Sequence, residues 1–105
     1  MSTDKLVDGI TKAAEALAAA VMSEQAYEDN RINVKLAAIE RIMAAGDSQF
    51  TGKPHSFSSA EAVVNTDEQY QSYLEQQRNA VVQRILARGA YEAAVAAANL
   101  AAAKV

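Results

Sequence analysis

Residues that break helices are concentrated in one short segment of this 105-residue chain. The single proline, Pro54, and two of the four glycines lie between residues 46 and 66, among several serines and threonines. The remaining sequence is dominated by Ala, Glu, Gln, Leu, Arg and Lys, which all favour helix. We therefore expect a first helix over about residues 4–45 and a last helix over about residues 67–103, joined by a loop and a short helix at 46–66.

Capping residues define the ends of these elements. Thr3 or Asp4 suits the start of the first helix, and Gly46 suits its end. The sequence Ser58-Ser59-Ala60-Glu61 matches a capping box and predicts a short helix over residues 60–64. A second capping box, Thr66-Asp67-Glu68-Gln69, is expected to open the last helix.

The apolar residues of both long helices recur at helical spacing. In the first helix, Ile10, Val21, Ile32 and Met43 lie eleven residues apart, a period that favours a straight or slightly right-handed pairing. Gly89 in the last helix indicates a kink or a close contact. The last helix presents one face made of Tyr70, Leu74, Val81, Tyr91 and Val95.

Two long helices around one loop predict an antiparallel, coiled-coil-like hairpin that forms a single helical domain over residues 1–105. Pairing the two helix ends at the loop gives a register in which the numbers of facing residues add up to about 112. Met43 then meets Tyr70, Ile39 meets Leu74, and Ile32 meets Val81. Phe50 and Phe57 are expected to fold over the loop end and shield Ile39 and Met43 from water.

Charged residues interrupt both apolar faces at matching positions. In this register Glu28 lies opposite Arg84, and Glu24 lies opposite Arg88. Two ion pairs between the helices would set the register, because a slipped pairing would leave charges without partners. The alternative is a polar binding pocket at the same place.

Alanine supplies 24 of the 105 residues, and it is concentrated near the two ends of the chain. From Ala93 to Ala103 no residue is charged, so this stretch of helix is almost apolar all round and one helix cannot cover it. Burial against a second copy predicts an oligomeric helical bundle, and a frayed C-terminus is the alternative. The expected oligomer interface consists of Leu17, Val21, Tyr91, Val95 and Leu100.

Composition limits the classes of protein that the chain can belong to. The chain has no cysteine, which excludes disulfides, thiolate metal sites and cysteine nucleophiles. It has no run of about 18 apolar residues and no basic leader ahead of an apolar segment. A net charge of −3 opposes bulk attraction to nucleic acid or anionic membrane. We expect a cytoplasmic protein that does not bind membranes.

Catalytic and cofactor motifs are not recognisable in this sequence. The segment from Gly46 to Pro54 differs from a phosphate-binding P-loop in its glycine spacing, in its proline where Ser or Thr binds magnesium, and in following a helix. His55 is the only histidine, and no Glu-x-x-His pair is present. We predict no enzymatic activity, no cofactor and no metal. Lys53 and His55 lie just before the short helix, where an anion could bind weakly. The alternative is that this segment is a solvated loop.

The ten basic residues are scattered rather than clustered. Tyr27 and Tyr73 could offer stacking surfaces for bases. The alternative is that the basic residues are ordinary surface charge. Nucleic-acid binding is therefore an alternative that we do not favour. The residues that would contact DNA or another anion are Arg31, Lys35, Lys53 and Arg78.

One stretch of the chain is similar to known sequences. The loop Thr51-Gly52-Lys53-Pro54-His55-Ser56, the step Ser59-Ala60-Glu61 and the tyrosine-rich start of the last helix resemble small helical proteins that phages and prophages encode. The resemblance covers residues 51–94, and the family has no established activity that could be carried over. It implies a non-enzymatic accessory protein that binds another protein, as an assembly factor or a modulator of a host system. The alternative function is an accessory DNA-binding protein in recombination or replication.

Overall fold

The computed structural model describes residues 3–104. Helix α1 covers Thr3–Ala45, helix α2 covers Phe57–Ala62 and helix α3 covers Glu68–Ala103, and a 3-10 turn, Val64–Thr66, lies between α2 and α3. These bounds confirm the all-α class and the hairpin of two long helices with a short helix between them. Both long helices begin and end within one residue of the predicted positions.

The chain divides into two compact units. We call Tyr27–Arg78 the loop unit, and Met1–Ala26 together with Asn79–Val105 the terminal unit. In the loop unit Arg41 contacts Asp67 and Tyr27 contacts Tyr73, so the two helix segments there are antiparallel. In the terminal unit Glu24 of α1 pairs with Arg84 of α3.

The loop unit holds the most deeply buried side chains of the described residues. Ile39 of α1 is 1% exposed, and Leu74 of α3 packs against the buried cluster to which Ile39 belongs. Phe50, in contrast, is 85% exposed and Met43 is also exposed, so the expected shield over the loop end is wrong. Phe57 is also exposed, and Ala60 of α2 and Val64 of the 3-10 turn pack with Ile39 instead. The buried cluster contains Ala38, Ile39, Ala60, Val64 and Tyr70, with Val34, Ile42 and Leu74 packed against it.

The covered positions of the helices follow a seven-residue repeat. In the terminal unit the half-buried residues of α1 are Leu6, Ile10, Ala13, Leu17, Ala20 and Glu24. They are spaced alternately by four and three residues, the pattern of helices that pair along one seam. The predicted eleven-residue series is wrong, since Val21, Ile32 and Met43 are exposed, Ile32 at 66%. Alanines fill part of the seam, so a search for large apolar residues misses the repeat.

The helix register differs from the prediction by about one turn. The numbers of Glu24 and Arg84 add up to 108, and so do those of Arg41 and Asp67. The predicted register matched large residues with large residues. Ala20 of α1 and Ala87 of α3 are both half-buried, and small residues on a seam let two helix backbones approach closely.

Two of the predicted caps are also replaced by neighbouring residues. The hydroxyl oxygen of Ser56, rather than Ser58, accepts from the backbone amide of Ser59 at 3.1 Å and caps α2. The carboxylate of Asp67, rather than the Thr66 hydroxyl, accepts from the Tyr70 amide at 2.9 Å and caps α3. Asp67 serves better because a carboxylate at a helix N-terminus is favoured by the helix dipole as well. Gly46, with φ +144°, follows the end of α1 as predicted.

Candidate functional site

The segment that resembles a P-loop is a closed turn. The Ser48 amide donates to the Lys53 carbonyl at 2.8 Å, and the Gly52 amide donates to the Ser48 carbonyl at 2.8 Å. The Phe50 amide donates to the Ser48 hydroxyl oxygen at 3.2 Å. A phosphate cradle needs such amides to point at the ligand. Here the amides of Ser48, Phe50 and Gly52 donate to acceptors within the loop, so these three are not available to a phosphate.

A cavity of about 410 Å³ lies between the end of α1, this loop and the segment from Val63 to Thr66 that follows α2. His55 is at its wall, with Nδ1 at 2.9 Å from the Ser59 hydroxyl, and that hydroxyl donates to the Ser56 carbonyl at 3.2 Å. No described carboxylate hydrogen-bonds His55, so the pair lacks the acid that orients a catalytic histidine. The cavity is lined by Ile42, Ala45, Gly46, Asp47, Gln49, Phe50, His55, Val63 and Thr66.

One of the four residues predicted to contact an anion lies beside a carboxylate. The Lys35 ammonium is 3.4 Å from the Glu61 carboxylate, because α2 lies against that side of α1. Within the described residues, Arg31, Lys53 and Arg78 make no ion pair. The charge of Lys35 is thus already balanced.

The two tyrosines that could stack on bases contact each other instead. The rings of Tyr27 and Tyr73 are 5.5 Å apart with 61° between their planes, an edge-to-face pair. The Tyr73 hydroxyl donates to the Tyr27 carbonyl, and the Tyr27 hydroxyl donates to Gln76 Oε1 at 3.4 Å. Burial raises the pKa of Tyr73. Both rings therefore serve the contact between α1 and α3.

A groove lined by amide side chains runs along the loop unit, with a volume of about 490 Å³. This groove was not predicted from the sequence. The signal was the helical spacing of Asn30 and Asn33 in α1 and of Gln69, Ser72 and Gln76 in α3. The groove is lined by Asn30, Asn33, Val34, Ala37, Arg41, Gln69, Ser72, Tyr73 and Gln76.

The predicted register-setting residues are paired differently. Arg84 Nε donates to Glu24 Oε2 at 2.6 Å, whereas the prediction paired Arg84 with Glu28 and Glu24 with Arg88. Glu28 accepts from Gln77 Nε2 at 3.5 Å instead. The exchange follows from the register, because α1 and α3 are shifted by about one helical turn from the predicted alignment. Arg88 is exposed and makes no ion pair with any described residue.

The residues predicted for an oligomer interface are divided between two environments. Leu17, Tyr91 and Val95 are half-buried, and Leu17 lies level with Tyr91 in the register of the terminal unit. These three are therefore used within the chain. Val21 and Leu100 are exposed.

A second apolar row on α3 faces away from Glu24 and the seam. We define the outer stripe as Val82, Leu86, Gly89, Ala93, Ala96 and Leu100. Val82 is 49% exposed, Leu86 is 61% exposed and Leu100 is 60% exposed. Gly89 neither ends nor breaks α3, and a Cβ added there would meet nothing within 4 Å. The outer stripe contains no charged residue over about five helical turns.

Neither a metal site nor a membrane span is present in the part of the chain that the structure describes. No group of three or more His, Asp or Glu side chains there could hold a metal ion. No described helix combines the length and the apolar character that crossing a bilayer requires.

No family model, curated protein or solved structure matches the chain.

Proposed function

We propose that this chain is a non-enzymatic accessory protein of the kind that phages and prophages encode. In this proposal it acts in the cytoplasm by binding another protein, as an assembly factor or as a modulator of a host system. The outer stripe of α3 is the binding surface. The proposal is supported mainly by the exposure of Leu86 and Leu100, two large apolar side chains on one uncharged face.

The burial pattern of the terminal unit supports this choice of surface. Among its described residues only Ala80 is buried, so this unit has no large side chain in a closed core. Full burial of a leucine contributes roughly 1.5–3 kcal/mol. A protein partner that covers Val82, Leu86 and Leu100 would therefore gain several kcal/mol that the isolated chain leaves unused.

The nucleic-acid alternative has less support. Lys35 is paired with Glu61, and the rings of Tyr27 and Tyr73 are packed against each other. DNA binding would remain the better account if the purified chain shifted DNA at low salt and Arg31→Ala with Arg78→Ala abolished the shift.

Photo-cross-linking in cells tests the protein-binding proposal directly. We would place p-benzoylphenylalanine at Ala97, an exposed residue beside the outer stripe, and in a separate variant at Ala18, an exposed residue of α1. We expect cross-linked protein adducts from position 97 and far fewer from position 18. Absence of any adduct from position 97, in a chain that circular dichroism shows to be helical, would contradict the proposal.

A further inference from the structure

The polar side chains in the wall of the cavity beside His55 are mainly hydrogen-bond acceptors. This cavity, of about 410 Å³, has the volume of a small-molecule site. The Thr66 hydroxyl donates its proton to the Val63 carbonyl at 2.7 Å, so only its lone pairs remain for a ligand. The Asp47 carboxylate can only accept, and it makes no ion pair with a described residue. Among the described wall residues, Gln49 alone has a side chain with protons left to donate.

The hydrogen bonds of His55 make its second ring nitrogen an acceptor as well. The Ser59 hydroxyl donates to the Ser56 carbonyl, so its oxygen accepts from Nδ1 of His55 at 2.9 Å. A neutral imidazole has one N–H, and Nε2 therefore carries a lone pair. No described residue hydrogen-bonds to this nitrogen. The wall thus offers three acceptors, which are the Asp47 carboxylate, the Thr66 hydroxyl and Nε2 of His55.

The rest of the wall is apolar and has an exposed aromatic rim. Ile42, Ala45 and Val63 supply its aliphatic groups. Phe50 is 85% exposed, and its amide donates to the hydroxyl oxygen of Ser48, a buried side chain. The turn that carries the ring is therefore held by hydrogen bonds before any ligand arrives. A turn held in this way loses little conformational freedom when a ligand covers it.

We infer that this cavity binds a small organic amine with an apolar or aromatic body. An ammonium group has three N–H donors and no acceptor, which matches the three acceptors of the wall. With His55 neutral, Asp47 is the only charged side chain among the described wall residues, and its negative charge selects a cation over an anion. The apolar body would lie against Ile42 and Phe50. The inference goes beyond the proposed function, because the cavity belongs to the loop unit and the outer stripe to the terminal unit.

Three probes of nearly the same shape test the chemistry of the ligand. Phenethylamine, 2-phenylethanol and phenylacetate share a benzene ring and differ in the charge of the end group. We would titrate each into the full chain at pH 8, where aliphatic amines are protonated and imidazole is mostly neutral, and follow methyl resonances by NMR. We expect saturable shifts of the Ile42, Ala45 and Val63 methyl groups with phenethylamine. Binding of 2-phenylethanol should be about fivefold weaker, and phenylacetate should not saturate the site.

Two pairs of matched variants locate the bound amine. Asp47→Asn should weaken phenethylamine binding about fivefold and leave 2-phenylethanol binding unchanged. Glu40→Gln removes the same charge from an exposed position of α1 outside the wall and should change neither. Phe50→Ala should weaken both probes, whereas Phe57→Ala, which removes an exposed ring outside the wall, should weaken neither. Asp47 and Phe50 are exposed, so the variants should stay folded, which circular dichroism checks.

Three results would overturn the amine site. One is the absence of saturable shifts with phenethylamine. Another is an equal loss of phenethylamine binding in Glu40→Gln and Asp47→Asn, which would mark a general attraction of cations to an acidic chain. The third is preferential binding of phenylacetate, which would restore the anion binding considered for Lys53 and His55. None of these results bears on the cross-links from position 97, so the inference and the proposed function can fail separately.

Discussion

Arg41 and Asp67 form a two-point ion pair that joins the end of α1 to the start of α3. Arg41 Nε donates to Oδ1 of Asp67 at 3.1 Å, and Nη2 donates to Oδ2 at 2.6 Å. The same Oδ2 accepts from the Tyr70 amide at 2.9 Å. One carboxylate therefore caps a helix and binds the opposite helix, which fixes the register of the loop unit at its closed end.

Substitutions at Asp67 should separate these two roles. Asp67→Asn keeps a good capping side chain and removes the charge, and we expect a loss of about 1–2 kcal/mol in the free energy of unfolding. Asp67→Ala also removes the cap and should lose about 1 kcal/mol more. Urea unfolding followed by circular dichroism measures both. Equal stability of Asp67→Asn and the wild-type chain would show that the ion pair has no net effect.

The same pair predicts how stability changes in acid. The hydrogen bonds from Arg41 lower the pKa of Asp67 below its usual range. Because the pKa is lower in the folded state, this stabilisation is fully present above the unfolded-state value near 3.9 and is lost as the pH falls through the folded value. From about pH 5 downward the wild-type chain should lose its stability advantage over Asp67→Asn. A constant difference down to about pH 2 would contradict this assignment.

A double-mutant cycle on Glu24 and Arg84 tests the register of the terminal unit. Both side chains are half-buried and their polar atoms are 2.6 Å apart, so we expect a coupling energy of about 0.5–1 kcal/mol between Glu24→Ala and Arg84→Ala. The matched control is Glu28→Ala with Arg84→Ala, the pair expected from the sequence. That control should be additive within about 0.5 kcal/mol. Coupling in the control and additivity in the first cycle would restore the register predicted from the sequence.

Two isoleucines of α1 provide a test of where the core lies. Ile39→Ala should cost about 2–5 kcal/mol, because Ile39 is buried between α1, α2 and α3. Ile32→Ala should change stability by about 0.5 kcal/mol or less, because Ile32 is exposed. If Ile39→Ala unfolds the chain, the milder Ile39→Val should cost about 0.5–1.5 kcal/mol. A larger effect at Ile32 than at Ile39 would be inconsistent with this core.

The ends of the long helices were predictable because their signals are local. Gly46 and the polar loop after it stop α1 whatever the rest of the chain does. The register was not predictable from large apolar residues, because Ala20 and Ala87 occupy the seam and their small size marks close approach rather than burial. The face of α1 that packs against α3 was predicted wrongly for the same reason, and the exposed Ile32 was assigned to that face.

Contacts between distant polar residues were harder still to predict. Arg41 stands on a seam position and Asp67 precedes a helix, but nothing local pairs residues 26 apart. The amide groove had a visible signal in the spacing of Asn30 and Asn33, which gains meaning only once α3 is placed beside α1. The outer stripe was partly foreseen through Leu100, whereas Leu86 belongs to it only after the seam is known.

Two helical glycines separate the stability of the chain from partner binding at the outer stripe. Gly89→Ala and Gly9→Ala each replace a glycine whose added Cβ meets nothing within 4 Å, so each should stabilise the monomer by about 0.5–1 kcal/mol. Gly89 lies within the outer stripe, and a methyl group there would stand between α3 and the proposed partner. Gly89→Ala should therefore raise the thermal midpoint and lower the yield of cross-linked adducts from position 97, while Gly9→Ala should raise only the midpoint. Equal adduct yields in both variants would show that the partner does not contact Gly89.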